Sequence, residues 1–455
     1  MGYSLTADTR GSKSVGVGSH TLINQNFTSA TDAHNTAVGY QAGKEVTTGQ
    51  YNTAIGSMSL DANTTASYNT AVGYNALTAN TTGTGNVAVG VALGANTTAN
   101  DNTAMGNGAL ATTQTGASNT AIGRNALTSA TGDGNVALGY GAGANATTTD
   151  HSTLIGYEVG GSAAMTGHDN TYIGMRAGKN TTAGQENVAI GREALETDDV
   201  GSGCVAVGNH SLELQNAAGS TANGYYNVAV GYGASMESTT GYYNTCVGAF
   251  SGDDLTTGNF NVFIGNDSTS NSGSDSYQIC LGYNVDSIGG SYTTLGSNSV
   301  GRIYNQFSSN ASWTRTSDER IKKDIQTNTD LGLDFVNDLR TVTYKWKAPS
   351  EHPEEFKSYN ADQTEAAYTE KMYGFIAQEV KAAIDTHNIT GFNGWHVTSE
   401  SQGSQQGISY EMFVMPLVKA VQELSAKVTT LETQNTTQAT QIADLITRVE
   451  TLEGE

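Results

Sequence analysis

Residues 316–325, Thr-Ser-Asp-Glu-Arg-Ile-Lys-Lys-Asp-Ile, place Ser317 five residues ahead of Lys322 and six ahead of Lys323. A serine hydroxyl is a poor nucleophile until a base takes its proton, and a lysine serves as that base only where burial lowers its pKa. A spacing of five does not set two side chains on one helix face. Taken alone, the stretch reads as a helix start: Thr316 and Glu319 match a capping box, acidic residues fill the first turn, and lysines follow. Other reactive residues group less. His34 and His151 share one repeat slot far apart in the chain, and no His or Cys cluster has metal-ligand spacing. No metal and no cofactor is therefore expected. Scattered Asp and Glu give no marked pair of the kind a glycosidase needs.

Composition changes across this stretch. Only eight Lys and Arg precede residue 308, after which Arg315, Arg320, Lys322 and Lys323 arrive together. The 455-residue chain has length for two or three domains. Its 55 Gly, 3 Pro and 22 Tyr, with abundant Val, Ile and Thr, indicate ordered β-structure rather than disorder. A formal charge of −22 excludes nucleic acid as a partner, because phosphate binding needs a basic face. The first 25 residues lack the apolar core of a secretory signal and no stretch reaches membrane-spanning length, so synthesis in a cytoplasm without membrane insertion is expected. Three Cys make no disulfide framework.

A repeat governs residues 31–300. Its glycine recurs from Gly39, Gly56, Gly73 and Gly90 to Gly282 and Gly296, mostly at steps of 16 to 18 residues, a period that suits one turn of a β-solenoid. Three residues before each glycine stands Thr, Val or Ile, and one before it an aliphatic residue. The slot between is usually Ala (Ala37, Ala54, Ala71, Ala88), and four before the glycine stands Asn in twelve of sixteen copies. Alternation at period two predicts that the aliphatic side is buried against its own coil. The small Ala-and-Gly side is then left for close approach by a second backbone, most simply another copy of the chain. The Asn slot suits a side-chain ladder or an Asx turn. Cys246 and Cys280 fall in the Ala slot and Cys204 in the Asn slot, as small buried residues or as thiols bonding chains together. At about 4.8 Å per coil the rod would be on the order of 75 Å long.

Behind the rod, "LDFVNDLRTVTYKWK" reads as helix then strand and "KMYGFIAQEVKAAID" as strand then amphipathic helix, a small mixed α/β domain. From Leu417, apolar residues at spacings of three and four (Val421, Leu424, Val428, Leu431, then Ile442, Leu445, Val449, Leu452) form a heptad seam interrupted by Asn435 and Gln438. The seam predicts a coiled coil between copies. Val and Leu alternating in it favour two strands by the general rule.

Residues 31–300 resemble the β-roll heads of trimeric autotransporter adhesins, with a longer period and without the membrane barrel. The ordered motifs "SDERIKKDI", "YKW", "YGFIAQEV" and "ISYEMFVMPLVKAVQEL", ahead of a coiled coil, resemble the endosialidase-type intramolecular chaperone of phage tail fibres and spikes, over roughly residues 313–430. The resemblance implies a chaperone that helps a β-helical trimer fold and then cuts itself off. By position, Ser317 would be the nucleophile, cleavage would fall between Thr316 and Ser317, and a desolvated Lys322 would be the general base, with Lys323 solvated. A single-turnover serine peptidase is thus expected.

The whole chain is expected to be mostly β. Residues 1–30 attach it to other tail proteins, a parallel left-handed β-roll or β-helix trimer spans 31–300, and 301–316 form a junction. A chaperone and autoprotease domain covers 317–411 and a coiled coil 412–455. The expected role is host attachment from a virion tail through a homotrimer that meets a cell-surface receptor, a glycan among the candidates. A bacterial adhesin and a glycan-degrading spike are the alternatives. Tyrosines after the repeat glycine (Tyr40, Tyr74, Tyr140, Tyr157, Tyr232, Tyr283) are candidates for packing or for sugar contact.

Overall fold

The computed structural model describes residues 10–162, 164–216, 225–299, 301–306, 314–315, 317–356, 358–366, 369–397 and 405–454. The chain divides into two compact units, Met1–Ser317 and Asp318–Glu455.

The first unit is a β-solenoid of about 16 turns. Three-residue strands pair in parallel and in register with the next turn: Thr36 with Thr53, Ala37 with Ala54 and Val38 with Ile55, and so on to Ile279–Gly282 and Tyr292–Ser297. Val15–Val17 pairs with Thr36–Val38, so part of the segment before residue 31 already belongs to the ladder.

The strand faces are the reverse of those read from alternation. Ala37, Ala71, Ala88 and Ala104 are fully buried, whereas Val38, Ile55, Met105 and Leu138 are 36 to 45% exposed. Beneath most strands the coil has room for only a methyl group, because Leu side chains from the following corner (Leu60, Leu77, Leu110, Leu127) fill the rest of the interior. The larger aliphatic residues therefore point outward and form an uncharged column along the unit. The glycine is small for a different reason as well. Gly39 has φ +137°, and a Cβ there would lie 2.5 Å from the carbonyl oxygen of Gly56 in the next turn of the same chain.

Large residues in the Ala slot are matched by glycines. A Cβ at Gly178 would collide with the Tyr172 ring, one at Gly143 would lie 2.7 Å from Leu154, and one at Gly252 would lie 3.3 Å from Phe263. Interior volume is conserved turn by turn. The three Cys are buried inside this interior as free thiols, and burial pushes each thiol pKa up to about 12. Bonds between chains through them are ruled out by that placement.

The Asn slot is a ladder between turns. Asn35 Oδ1 accepts the backbone N–H of Asn52 (2.9 Å), and Asn52 Oδ1 that of Asn69 (3.0 Å). Each amide also donates to a corner carbonyl, Asn52 to Ala66 and Asn69 to Gly83, both at 2.9 Å. The carbonyl and the amino group of Asn52 and Asn69 are thus both used, as a coil interior requires. Beyond the last parallel strand, Tyr292–Ser297 pairs antiparallel with Gly301–Gln306, and that strand pairs with Thr314–Arg315.

The second unit is the expected mixed α/β domain. It holds α1 (Leu333–Asn337), α2 (Ala377–Thr386) and α3 (Val414–Glu453), with hairpin pairings of Val342–Tyr344 to Met372–Gly374 and of Trp395–Val397 to Gln406–Ile408. Phe335, Val380, Ala383, Ile384 and Phe413 form its core. Within α3 only Pro416 and Ala420 are buried, and the heptad seam of this 40-residue helix stands open from Leu417 to Leu452.

Candidate functional site

The motifs of the second unit come together in space. A Cβ at Gly374 would collide with the Tyr410 hydroxyl, which accepts the backbone N–H of Phe375 at 3.1 Å. Phe375 in turn stacks on Tyr410 (5.7 Å between ring centroids). "YGF" and "ISYEMF" therefore describe one contact, and only glycine fits it. The start of α1 is satisfied from α3: Glu423 Oε2 accepts the N–H of Leu333 at 2.7 Å, and that bond holds the Glu423 carboxyl below its ordinary range. A carboxylate there also suits the helix dipole. Arg340 Nε donates to Glu379 at 2.9 Å, tying α2 to the residues after α1.

The stretch that opens the unit carries no core of its own. Glu319–Ile321 is a single 3-10 turn, and its cap is Asp318 rather than the Thr316 read from the sequence. Asp318 Oδ1 accepts the Arg320 N–H at 2.8 Å, and the Arg320 guanidinium holds the Asp318 carboxyl below the usual range. Thr316 lies outside the described residues. Ser317 is exposed at the end of the first unit. Lys322 follows the 3-10 turn in extended conformation, its N–H bonded to Glu319 O at 3.0 Å. Contrary to the desolvation expected for a base, Lys322 is exposed, as is Lys323, and the flanking Ile321 and Ile325 are 69% and 60% exposed. Among the described residues, residues 321–325 are all exposed. The single chain therefore does not show the burial expected of Lys322, whereas Lys323 is exposed as expected.

Sequence spacing could not show which groups the turns would bring together. Glu193, His210 and Glu213 place ligand-type atoms within 4.8 Å of one another across two turns. Arg192 and Arg176 both answer the Glu193 carboxylate, at 3.1 and 3.6 Å, and His210 Nδ1 meets Glu213 at 2.6 Å. The group is an ion-paired network. His34, expected as a turn residue, has φ +51° and stacks on Tyr51.

Comparison with known proteins adds one assignment: residues 317–389 match the peptidase S74 family described as chaperone of endosialidase. No curated protein and no solved structure matches the chain. That family is associated with self-cleaving chaperone domains. The match begins at Ser317. Residues 317–389, which follow the β-solenoid in the sequence, are thus similar to the endosialidase-type chaperone family.

Proposed function

We propose that the chain is a phage tail fibre or spike that attaches virions to a host surface, and that its C-terminal part trimerises it, guides its folding and then cuts itself away between Thr316 and Ser317. The observation that carries this reading is the family match beginning at Ser317, directly behind a parallel solenoid. Ser317 is the nucleophile and Lys322 the general base, and the bond broken joins the Thr316 carbonyl to the Ser317 nitrogen. The Ser317 hydroxyl attacks that carbonyl, the peptide nitrogen leaves with a proton, and water resolves the resulting ester.

Two features support a requirement for assembly. Lys322 and its apolar neighbours Ile321 and Ile325 are exposed in one chain, and an ammonium becomes a base only when desolvated. Cover from other copies supplies that burial, so that cutting follows winding. The outward aliphatic column of the solenoid and the open seam of α3 are the surfaces on which three copies meet. Non-local pairing is slow, and tethered chains raise the local concentration that it needs.

The test is a denaturing gel. Ser317→Ala leaves full-length chain where the native sequence yields a fragment of residues 1–316, and Lys322→Ala does the same. Equal processing in all three would remove both assignments.

A further inference from the structure

We propose that a notch on the solenoid between the turns of Gly139 and Gly156 binds one sugar unit of a surface polysaccharide, and that the preferred unit is a uronic acid. The inference rests on the attachment reading and gives it a location.

The notch arises from missing side chains. Two residues past the repeat glycine, most turns carry a side chain: Asn75, Asn125, Glu158, Arg176, Glu193 and His210. Gly141 has none, and Gly161 leaves a second gap in the following turn. Together they open a cavity of about 370 Å³, within the range of small-ligand sites. Its wall is Tyr140, which is gripped on both faces. Arg124 lies over one side of the ring at 5.8 Å from its centroid, and Tyr157 stacks on it at 5.3 Å and 12°. The ring is held still and offers its edge to the space. Asn145 Nδ2 fixes the floor by donating to Gly161 O at 2.8 Å.

The rim has the chemistry of sugar recognition. Asn125, Glu158 and Lys179 line the opening, and an amide, a carboxylate and an ammonium match the donor and acceptor pairs of ring hydroxyls. Charge then narrows the class. Only eight Lys and Arg precede residue 308, and Arg124, Arg176, Lys179 and Arg192 are four of them, within the five turns from Gly123 to Gly191. Arg176 Nε is 3.8 Å from Glu158, so that carboxylate is partly answered. Lys179 keeps only a loose pair with Glu196 at 3.9 Å and has donors left for a ligand carboxylate.

The slot itself supplies a filling variant that preserves the coil. Gly141 has φ +64°, while Asn75 and Asn125 occupy the same slot at +56° and +59°. A Cβ at Gly141 would meet Glu158 Cγ at an ordinary 3.7 Å. Gly141→Asn therefore fills the notch with a residue that neighbouring turns already accept.

The experiment is titration calorimetry of the full chain with methyl glucuronide, methyl galacturonide and methyl glucoside, beside adsorption of the same protein to a panel of bacterial strains. At least one uronide binds, tenfold or more tighter than the glucoside. Gly141→Asn weakens that binding at least tenfold with an unchanged far-ultraviolet spectrum, and Lys179→Gln removes the preference for the acid. Failure of both uronides to bind, or equal binding by Gly141→Asn, overturns the notch. If adsorption persists in either case, attachment stands and only the location is lost. A uronide bound at the notch by a chain that adsorbs to no strain supports the site and removes the attachment reading.

Discussion

Replacing Asn119 by Ala removes one rung of the buried amide ladder. Asn119 Oδ1 accepts both the backbone N–H and the Nδ2 of Asn135, at 2.9 and 3.0 Å, and Asn119 Nδ2 donates to Gly132 O at 2.8 Å. The variant leaves the Asn135 N–H and the Gly132 carbonyl without their side-chain partner in a fully buried slot. Each buried group left unmatched costs about 1 to 3 kcal/mol, so the loss from the two is about 2 to 6 kcal/mol per chain. Because each turn contacts only its neighbours, the effect is local. Hydrogen exchange reads it directly: protection of the Asn135 amide falls by a factor of about 30 or more, since 1.4 kcal/mol is tenfold, while that of Asn52 is retained. Asn266→Ala, which removes an exposed bond of 3.3 Å to Ala249, is the control and changes little. Equal exchange at Asn135 in Asn119→Ala and the native chain would show that the ladder adds no stability.

Three further outcomes follow from the packing. Burial pushes the half-buried Asp254 carboxyl up to about 6, although it accepts the Ser270 N–H at 2.9 Å. The folded state therefore holds this proton more tightly than the unfolded chain, and its contribution to stability falls as pH rises from about 4 to about 6. Asp254→Asn keeps the acceptor and should be more stable than the native chain at pH 7 by about 1 kcal/mol, discounted for partial exposure, with the difference vanishing near pH 4 in paired denaturant titrations. The thiols of Cys204, Cys246 and Cys280 should resist a thiol reagent in the native chain and all react in denaturant, as their burial and raised pKa require. Leu424→Asn with Leu431→Asn should lower the mass measured by light scattering and slow processing, because each exposed seam leucine is worth about 2 kcal/mol when buried between copies. An unchanged mass would place the assembly surface elsewhere.

The periodic features of the fold were legible in the sequence because each is repeated at one spacing. The glycine register, the Asn ladder and the strand positions are found where the repeat placed them, and the helices and strands of the second unit lie where their apolar patterns put them. The direction of the strand faces was not legible. Alternation tells that Ala37 and Val38 point oppositely, but only the Leu60 and Leu77 side chains, which occupy the interior from corners with left-handed backbone, decide that the Ala side is inside. Burial of Lys322 was inferred from what the chemistry needs, and a single chain does not contain the surface that would meet the need. The contact between Gly374 and Tyr410 had a signal, a glycine between two aromatics, but no spacing that named its partner. Likewise Gly141 and Gly161 stood in plain view as gaps in slots that most turns fill.

The strands after Ser297 have a bearing on release. An open parallel edge invites another chain to add to it, yet here Gly301–Gln306 folds back over Tyr292–Ser297, and Thr314–Arg315 follows it. A break behind Thr316 would fall one residue past this lid. The departing piece would take none of the covering strands with it, and the last parallel strand of the shaft left behind would keep its antiparallel partner.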